Sequence, residues 1–248
     1  MKTMICDFSI NICNWRMVSN KILSPEDWQL GEYHWIKHSD NWDDFQPKLA
    51  FLPPLKRRRL SPATRLFFEA AWDLVAEDPN IPVVYASLNS EINRSFTLWQ
   101  ELLKEGDVSP TSFSLSVHNA LIGQWSELRK VTQEMTALCA LKDNLETAIM
   151  EAYLMLNEGA EKVLVAVCEL PLDEQYDVQP ISRLPFGYAL ALVIEKGDQY
   201  QLSLHHQSQE IENDNLDNTL TFVKNQQLNS VSWQVPSSNG GYWRWHKN

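Results

Sequence analysis

Apolar and polar positions change period along this chain, and each change predicts an element. Phe8, Ile10 and Ile12 alternate with Ser9 and Asn11. A period of two gives a short strand with one buried side. Residues 20–60 hold no sustained period. Trp28, Tyr33, Trp35 and Trp42 are scattered there among polar residues, which reads as a long loop with one short helix, ending at Pro53-Pro54. Ser61-Pro62 is a helix start: a capping hydroxyl precedes a residue whose missing N–H costs nothing at the first helical position. Beyond it, Arg65, Glu69, Asp73 and Glu77 recur at a spacing of four, and Leu66, Phe67, Ala70, Ala71, Leu74 and Val75 fill the rest. So narrow a polar stripe predicts a largely buried helix.

The run Pro82-Val83-Val84-Tyr85-Ala86 is apolar throughout and suits a strand buried on both sides. A helix over 95–105 follows, with Trp99, Leu102 and Leu103 facing inward and Gly106 as its stop. Ser109-Pro110 opens another, carrying Phe113, Val117, Ala120 and Leu121. Asp143 and Glu146 have the spacing of a capping box for a helix with Leu145, Ala148, Ile149, Ala152 and Leu156 on one face, closed by Gly159. Lys162 to Cys168 is the clearest buried strand. Tyr188–Glu195 and Gln199–His206 read as two antiparallel strands, with Gly197-Asp198 as the hairpin turn between them. Strands alternating with helices and closed by a hairpin predict an α/β fold, a mixed β-sheet with helices on both faces. From 207 onward the composition shifts to Asn, Gln, Ser and Asp, around one amphipathic helix with Leu216, Leu220 and Val223, and Tyr242-Trp243-Arg244-Trp245 follows. This divides the chain into a domain over 1–206 and a polar C-terminal extension over 207–248 that packs on the same domain.

Composition removes several functions. The net charge of −11 gives no general attraction to nucleic acid or anionic lipid. The eight glycines form neither a dinucleotide turn nor a phosphate loop. No window is apolar for long enough to span a membrane, and the first fifteen residues, broken by Asp7, Asn11 and Asn14, do not read as a signal peptide. A cytoplasmic protein is expected. Cys6, Cys13, Cys139 and Cys168 form no CxxC pair and read as reduced, mostly buried thiols. His34 and His38 have the i, i+4 spacing of a shared metal, but Trp35, Ile36 and Lys37 lie between them, and two surface histidines in a loop is the simpler reading. His205 and His206 point to opposite faces of a strand. No GxSxG elbow exists, and Asp43-Asp44 reads as solvated. The basic run Lys56, Arg57, Arg58 and Arg59 reads either as a solvated cluster or as a phosphate contact.

From about Ser61 to His206 the order of elements resembles the N-terminal half of a β-ketoacyl synthase of the thiolase-like superfamily. Four stretches carry the resemblance: IPVVYAS with the helix after it; SPTSFSLSVHNALIGQ, with Asn119 and Gly123 at its NxxxG; TALCALKDNLETAIMEAYLMLNEGAEKVLVAVCE, similar to the nucleophile helix and the strand that follows; and LPFGYALALVIE, similar to the strands closing that half. More narrowly, the chain is similar to the short chain length factors of bacterial aryl polyene clusters, which stop near this length and end in a tryptophan–arginine pattern.

Two departures from the resemblance shape the expected function. The nucleophile position falls at or near Lys142, where the family's cysteine begins a helix whose positive end lowers the thiol pKa. An amine there, once acylated, forms an amide that does not pass its acyl group on. Cys139 lies three residues early. The sequence also ends soon after the first half, before the second half's two histidines and lysine, and His205 and His206 do not match those histidines. No condensing activity and no cofactor are expected. The resemblance implies a partner, a full-length β-ketoacyl synthase in a heterodimer, with an acyl carrier protein delivering substrate. It places Phe113, Leu115, Ser116 and Asn119 against the partner's acyl tunnel, and Lys56 to Arg59 against the carrier. The alternatives are a decarboxylase or acyltransferase using Cys139, and a homodimeric scaffold that binds carrier protein.

Overall fold

The computed structural model describes residues 3–176, 183–206 and 216–248. The division drawn at 206/207 falls against residues 207–215, outside the described residues, as do Met1 and Lys2 of the segment examined for a signal peptide.

Among the described residues a seven-stranded sheet organises the chain. Its path runs β3 (Met135–Leu138), β2 (Val83–Ala86), β4 (Lys162–Glu169), β5 (Tyr188–His206), β7 (Tyr242–Lys247) and β6 (Ser232–Pro236), and β1 (Thr3–Ser19) pairs with β5. β3, β2 and β4 are parallel, and β5 runs antiparallel to β4. Val163–Cys168 are buried on both faces, as an apolar run in a central strand requires. One face packs on α4 (Pro62–Ala71) and α7 (Ala120–Arg129) through Phe67, Phe68, Leu121 and Trp125. The other packs on α8 (Asn144–Glu158), whose Leu145, Ala148, Ile149, Ala152 and Leu156 are fully buried. Two alanines on that stripe let the helix approach the sheet closely. Each buried leucine or isoleucine contributes about 1.5–3 kcal/mol. Gly159, at φ +121, ends α8 in a conformation that disfavours any other residue.

The segment from 20 to 60 is more ordered than its pattern predicts. It forms α1 (Pro25–Leu30), α2 (Glu32–His38), a 3-10 turn (Ser39–Asn41) and α3 (Pro54–Arg57). Ser24 and Asp27 make a reciprocal capping box at α1. Trp28 and Trp35 are buried against Phe186 and join α9 (Asn218–Gln227) in covering the α8 face. His34 and His38 therefore lie on a helix, with His34 Nε2 2.8 Å from Asp27 Oδ1. Among the described residues no three His, Cys, Asp or Glu side chains converge as metal ligands.

The structure corrects several sequence expectations. The hairpin at Gly197-Asp198 is absent, because β5 continues in one direction through it. β1 pairs antiparallel with both halves, and its register passes from Ile10↔Tyr200 to Asn11↔Glu195, leaving 196–199 as a bulge. Side chains close that bulge: Gln199 N–H donates to Asn11 Oδ1 at 3.1 Å, and Ile12 N–H donates to Gln199 Oε1 at 3.1 Å. A Cβ on Gly197 would sit 1.9 Å from Asn11 Oδ1, so any larger residue there must displace the Asn11 carboxamide. The reading of 110–121 as one helix is also corrected. It breaks into α6 (Pro110–Ser114) and α7, with Ser114 and Ser116 hydroxyls bonding the carbonyls of Pro110 and Phe113. On α5 (Ile92–Glu105), Trp99, Leu102 and Leu103 face outward, and Leu98 turns in. A hydrophobic stripe reveals that a helix has an apolar face, not what covers it. The polar stripe of α4 stops early, since the α-helix ends at Ala71. Glu69 and Asp73 instead meet Arg16 of β1 at 3.3 and 3.6 Å.

Replacing Gly197 with alanine displaces the Asn11 carboxamide and its bond to the bulge. Losing one or two hydrogen bonds at about 1 kcal/mol each lowers Tm by roughly 3–8 °C, read by calorimetry. An unchanged Tm would show that the bulge does not need those side chains.

Candidate functional site

Parallel strands in an α/β sheet gather functional groups beyond their carboxyl ends. Here β3 leads into a tight turn, Cys139-Ala140-Leu141, then a 3-10 turn (Leu141–Asp143) and α8. Leu141 lies in the left-handed region at φ +50. Lys142, at or near which the resemblance puts the nucleophile position, is exposed beside it. Cys139 is exposed at the end of an edge strand, so the expectation of a buried thiol there is corrected. Cys13 is exposed as well and Cys6 is half-buried. Only Cys168 is buried, and all four thiols are free.

The turn is held from far away in sequence. Ala140 N–H donates to Asn144 Oδ1 at 2.6 Å. Ser238 Oγ, in the β6–β7 connection, lies 2.8 Å from Ala140 O, accepts from Lys142 N–H at 3.2 Å and touches the Asp143 carboxylate. The predicted capping box does not form: Asp143 makes no side-chain cap. Asp143 Oδ2 instead accepts from Ser237 Oγ at 3.0 Å and Trp243 Nε1 at 2.9 Å, while Glu146 accepts from Trp245 Nε1 at 3.0 Å and Asn218 Nδ2 at 3.2 Å. The alternation Trp243-Arg244-Trp245 puts both indoles on one face of β7, a legible signal whose acceptors were not.

Two further buried acids stand close by. Glu169, at the end of β4, accepts from Leu88 N–H, Asn89 N–H at 3.2 Å and Asn144 Nδ2 at 3.4 Å. Asp217 caps α9 through Leu220 N–H and accepts from Tyr188 Oη at 2.7 Å. Burial pushes Glu146 and Glu169 up to about 7, against the hydrogen bonds that favour their ionised forms. Burial also raises Asp217.

The residues nominated from sequence separate. A cavity of about 580 Å³ beside the open edge of β3 is lined by Val117, His118, Asn119, Ile122, Met135, Ala137, Leu138 and Cys139. Asn119 and Cys139 meet there, but Phe113, Leu115 and Ser116 do not line it. Phe113 is 62% exposed on α6, so it is not core. The basic run also divides. Lys56 pairs with Glu127, and Arg57 Nη1 donates to Lys48 O at 2.8 Å. Arg58 and Arg59 line a cavity of about 370 Å³ with Ser90, Glu91, Asn93 and Arg94.

Known structures share this fold. A ketosynthase in complex with its chain length factor, from Xenorhabdus doucetiae, superposes with a TM-score of 0.81 at 22% identity, over 97% of this chain and 100% of the matched one. The ishigamide ketosynthase/chain length factor gives 0.56 at 13% identity, over 79% of this chain and 66% of that one. A type II polyketide synthase acyl-carrier protein in complex with its ketosynthase gives 0.54 at 16% identity, over 75% and 62%. The fold is thus the thiolase-like fold of the ketosynthases. The β-ketoacyl synthase N-terminal domain profile matches residues 32–246, and the chain belongs to that family. No curated protein matches it in sequence. No helix among the described residues is long and apolar enough to cross a membrane.

The buried acids set a pH dependence. A carboxyl group whose folded pKa is raised binds more protons folded than unfolded between its ordinary value and the raised one, so stability falls as pH rises through that window. Tm is therefore higher at pH 5 than at pH 8, with the loss between about 4.5 and 7. Glu146→Gln flattens the profile. A Tm that rises steadily from pH 5 to 8 would refute this.

Proposed function

We propose that this chain is a non-catalytic ketosynthase-like subunit, a chain length factor, that pairs with an active β-ketoacyl synthase and shapes its acyl tunnel in polyene or fatty-acid-type biosynthesis. The observation that carries the reading is the turn before α8. Its left-handed position holds Leu141 and the next residue is Lys142, so no thiol heads the helix. The partner performs the condensation: the malonyl thioester loses carbon dioxide, its α-carbon attacks the acyl thioester on the partner's cysteine, and the thiolate leaves.

The surface supports pairing. Among the described residues β3 is hydrogen-bonded on one side only, to β2, which leaves an edge for another strand. Trp99, Leu102, Leu103, Phe113 and Val117 are exposed on α5, α6 and the turn after α6, and Val117 lines the cavity beside β3. Apolar groups in this number fit an obligate interface, which buries about 2,000 Å² or more. The solved complex of a ketosynthase with its chain length factor, which this chain matches over nearly its whole length, agrees with that reading.

A second reading uses Cys139 as the nucleophile of a decarboxylase or acyltransferase, favoured by its exposure beside the 580 Å³ cavity. One experiment separates the readings. Co-expressed with a β-ketoacyl synthase, the chain co-elutes as a heterodimer that extends malonyl-carrier substrates. Alone, it acquires no acyl adduct by mass spectrometry. An adduct on Cys139 favours the enzyme, and self-association without the synthase favours a homodimeric scaffold.

Two variants refine the assignment. Ser116→Trp, at the α6–α7 turn, shortens the products without stopping turnover, and unchanged lengths would remove this segment from the tunnel. Reversing Arg58 and Arg59 to glutamate raises the apparent KM for the acidic carrier about tenfold, and an unchanged KM would remove the cluster from carrier recognition.

A further inference from the structure

Five of the nine arginines are taken up by the chain itself. Arg16 meets Glu69 and Asp73, and Arg57, Arg65, Arg129 and Arg183 donate to backbone carbonyls. Among the described residues the guanidinium groups of Arg58, Arg59, Arg94 and Arg244 make no hydrogen bond or salt bridge. Three of these four line one cavity, of about 370 Å³. Arg58 and Arg59 follow α3 and are exposed, and Arg94 comes from the first turn of α5 and is half-buried. Like charges repel, so holding three cations around one space works against the fold. One carboxyl group faces them. Glu91 is buried, and its Oε1 accepts from Ser61 Oγ while Arg94 stands against its charge. Burial raises the pKa of Glu91, which favours its neutral form. The cavity wall thus keeps an excess of positive charge, in a chain whose net charge is −11.

Two helices start at this cavity. Ser61 caps α4, accepting from Thr64 N–H at 3.2 Å, whereas no side chain caps α5. Ser90, Glu91 and Asn93 line the cavity at the start of α5, so the positive end of a 14-residue helix adds to the arginines. Asn93 braces that turn against the chain after β4. Its Nδ2 donates to Pro171 O at 2.9 Å, and its Oδ1 accepts from Asp173 N–H at 3.0 Å. An apolar ligand would leave the guanidinium donors unpaired, while an oxyanion satisfies them.

We propose that this cavity binds the phosphate group of a phosphorylated small molecule through Arg58, Arg59 and Arg94. A planar guanidinium fork takes two phosphate oxygens, and several forks around one space match a doubly charged group better than a single carboxylate. The site stands independently of the chain-length reading. It also differs from a contact with an acidic protein surface, which would engage the exposed Arg58 and Arg59 and leave Arg94 idle. The phosphate is either free or carried on a phosphopantetheine arm, and the test separates these sources.

The full chain is titrated by calorimetry at low ionic strength with pyrophosphate, phosphopantetheine, pantetheine and glutarate. Pyrophosphate and phosphopantetheine bind, and pantetheine and glutarate do not. Arg94→Gln weakens pyrophosphate about tenfold. Arg58→Gln combined with Arg59→Gln weakens it as well, and leaves Tm unchanged because both side chains are exposed. Arg244→Gln, on β7, leaves binding unchanged. Displacement of pyrophosphate by holo-carrier but not by apo-carrier assigns the phosphate to the arm, and displacement by neither assigns it to a free molecule. Equal displacement by apo-carrier overturns the phosphate site in favour of an acidic-protein contact. Pyrophosphate that does not bind, glutarate that binds as tightly, or equal weakening by Arg244→Gln overturns it too. None of these results bears on the chain-length reading, which product lengths decide.

Discussion

The first turn of α8 is the joint on which the molecule depends. Asp143 and Glu146 are buried there, and removing a carboxylate from water costs several kcal/mol unless donors replace it. Two indoles from β7, a serine before the strand and Asn218 of α9 supply those donors. The bond network therefore welds three distant parts into one unit: the turn after β3, the helix beneath the sheet and the β6–β7 pair. Deleting one indole leaves a buried carboxyl group with one donor fewer, Asp143 with its serines and Glu146 with Asn218, which costs more than the loss of an exposed hydrogen bond.

The same residues close the sheet over α8. Trp233 and Trp245 stack at 5.3 Å, Phe222 of α9 packs on both, and Trp243 meets Phe8 of β1. On the far side Trp28, Trp35 and Trp42 converge on Phe186. Large aromatic rings bring much apolar area per ordered side chain. They cover the helix that the central strands alone leave half exposed.

Much of the architecture was legible because burial writes itself into period. The stripe Leu145-Ala148-Ile149-Ala152-Leu156 and the run Val163–Cys168 became α8 and β4 with little change. The failures have physical causes. Gly197-Asp198 has turn chemistry, but a pairing partner on β1 held both halves of β5 in line, and long-range pairing outranks a local preference. β3 was hidden because an edge strand of four half-buried residues carries no clean alternation. The site was less legible still. Lys142 lies in the turn before α8, but that Leu141 holds a positive φ beside it is a backbone fact with no signature in residue type. The basic run read as one patch because sequence does not show that Glu127 and Lys48 O take up Lys56 and Arg57.

The side-chain-closed bulge in β5 has a consequence for how the chain is made. Ile12 finds its partner Gln199 across 187 residues. At ribosomal rates of about 5–20 residues per second, β1 waits roughly ten to forty seconds before the strand that completes it emerges. During that interval Phe8, Ile10 and Ile12 lack the sheet and helix that bury them, and the strand's free backbone groups are a template on which another chain can pair.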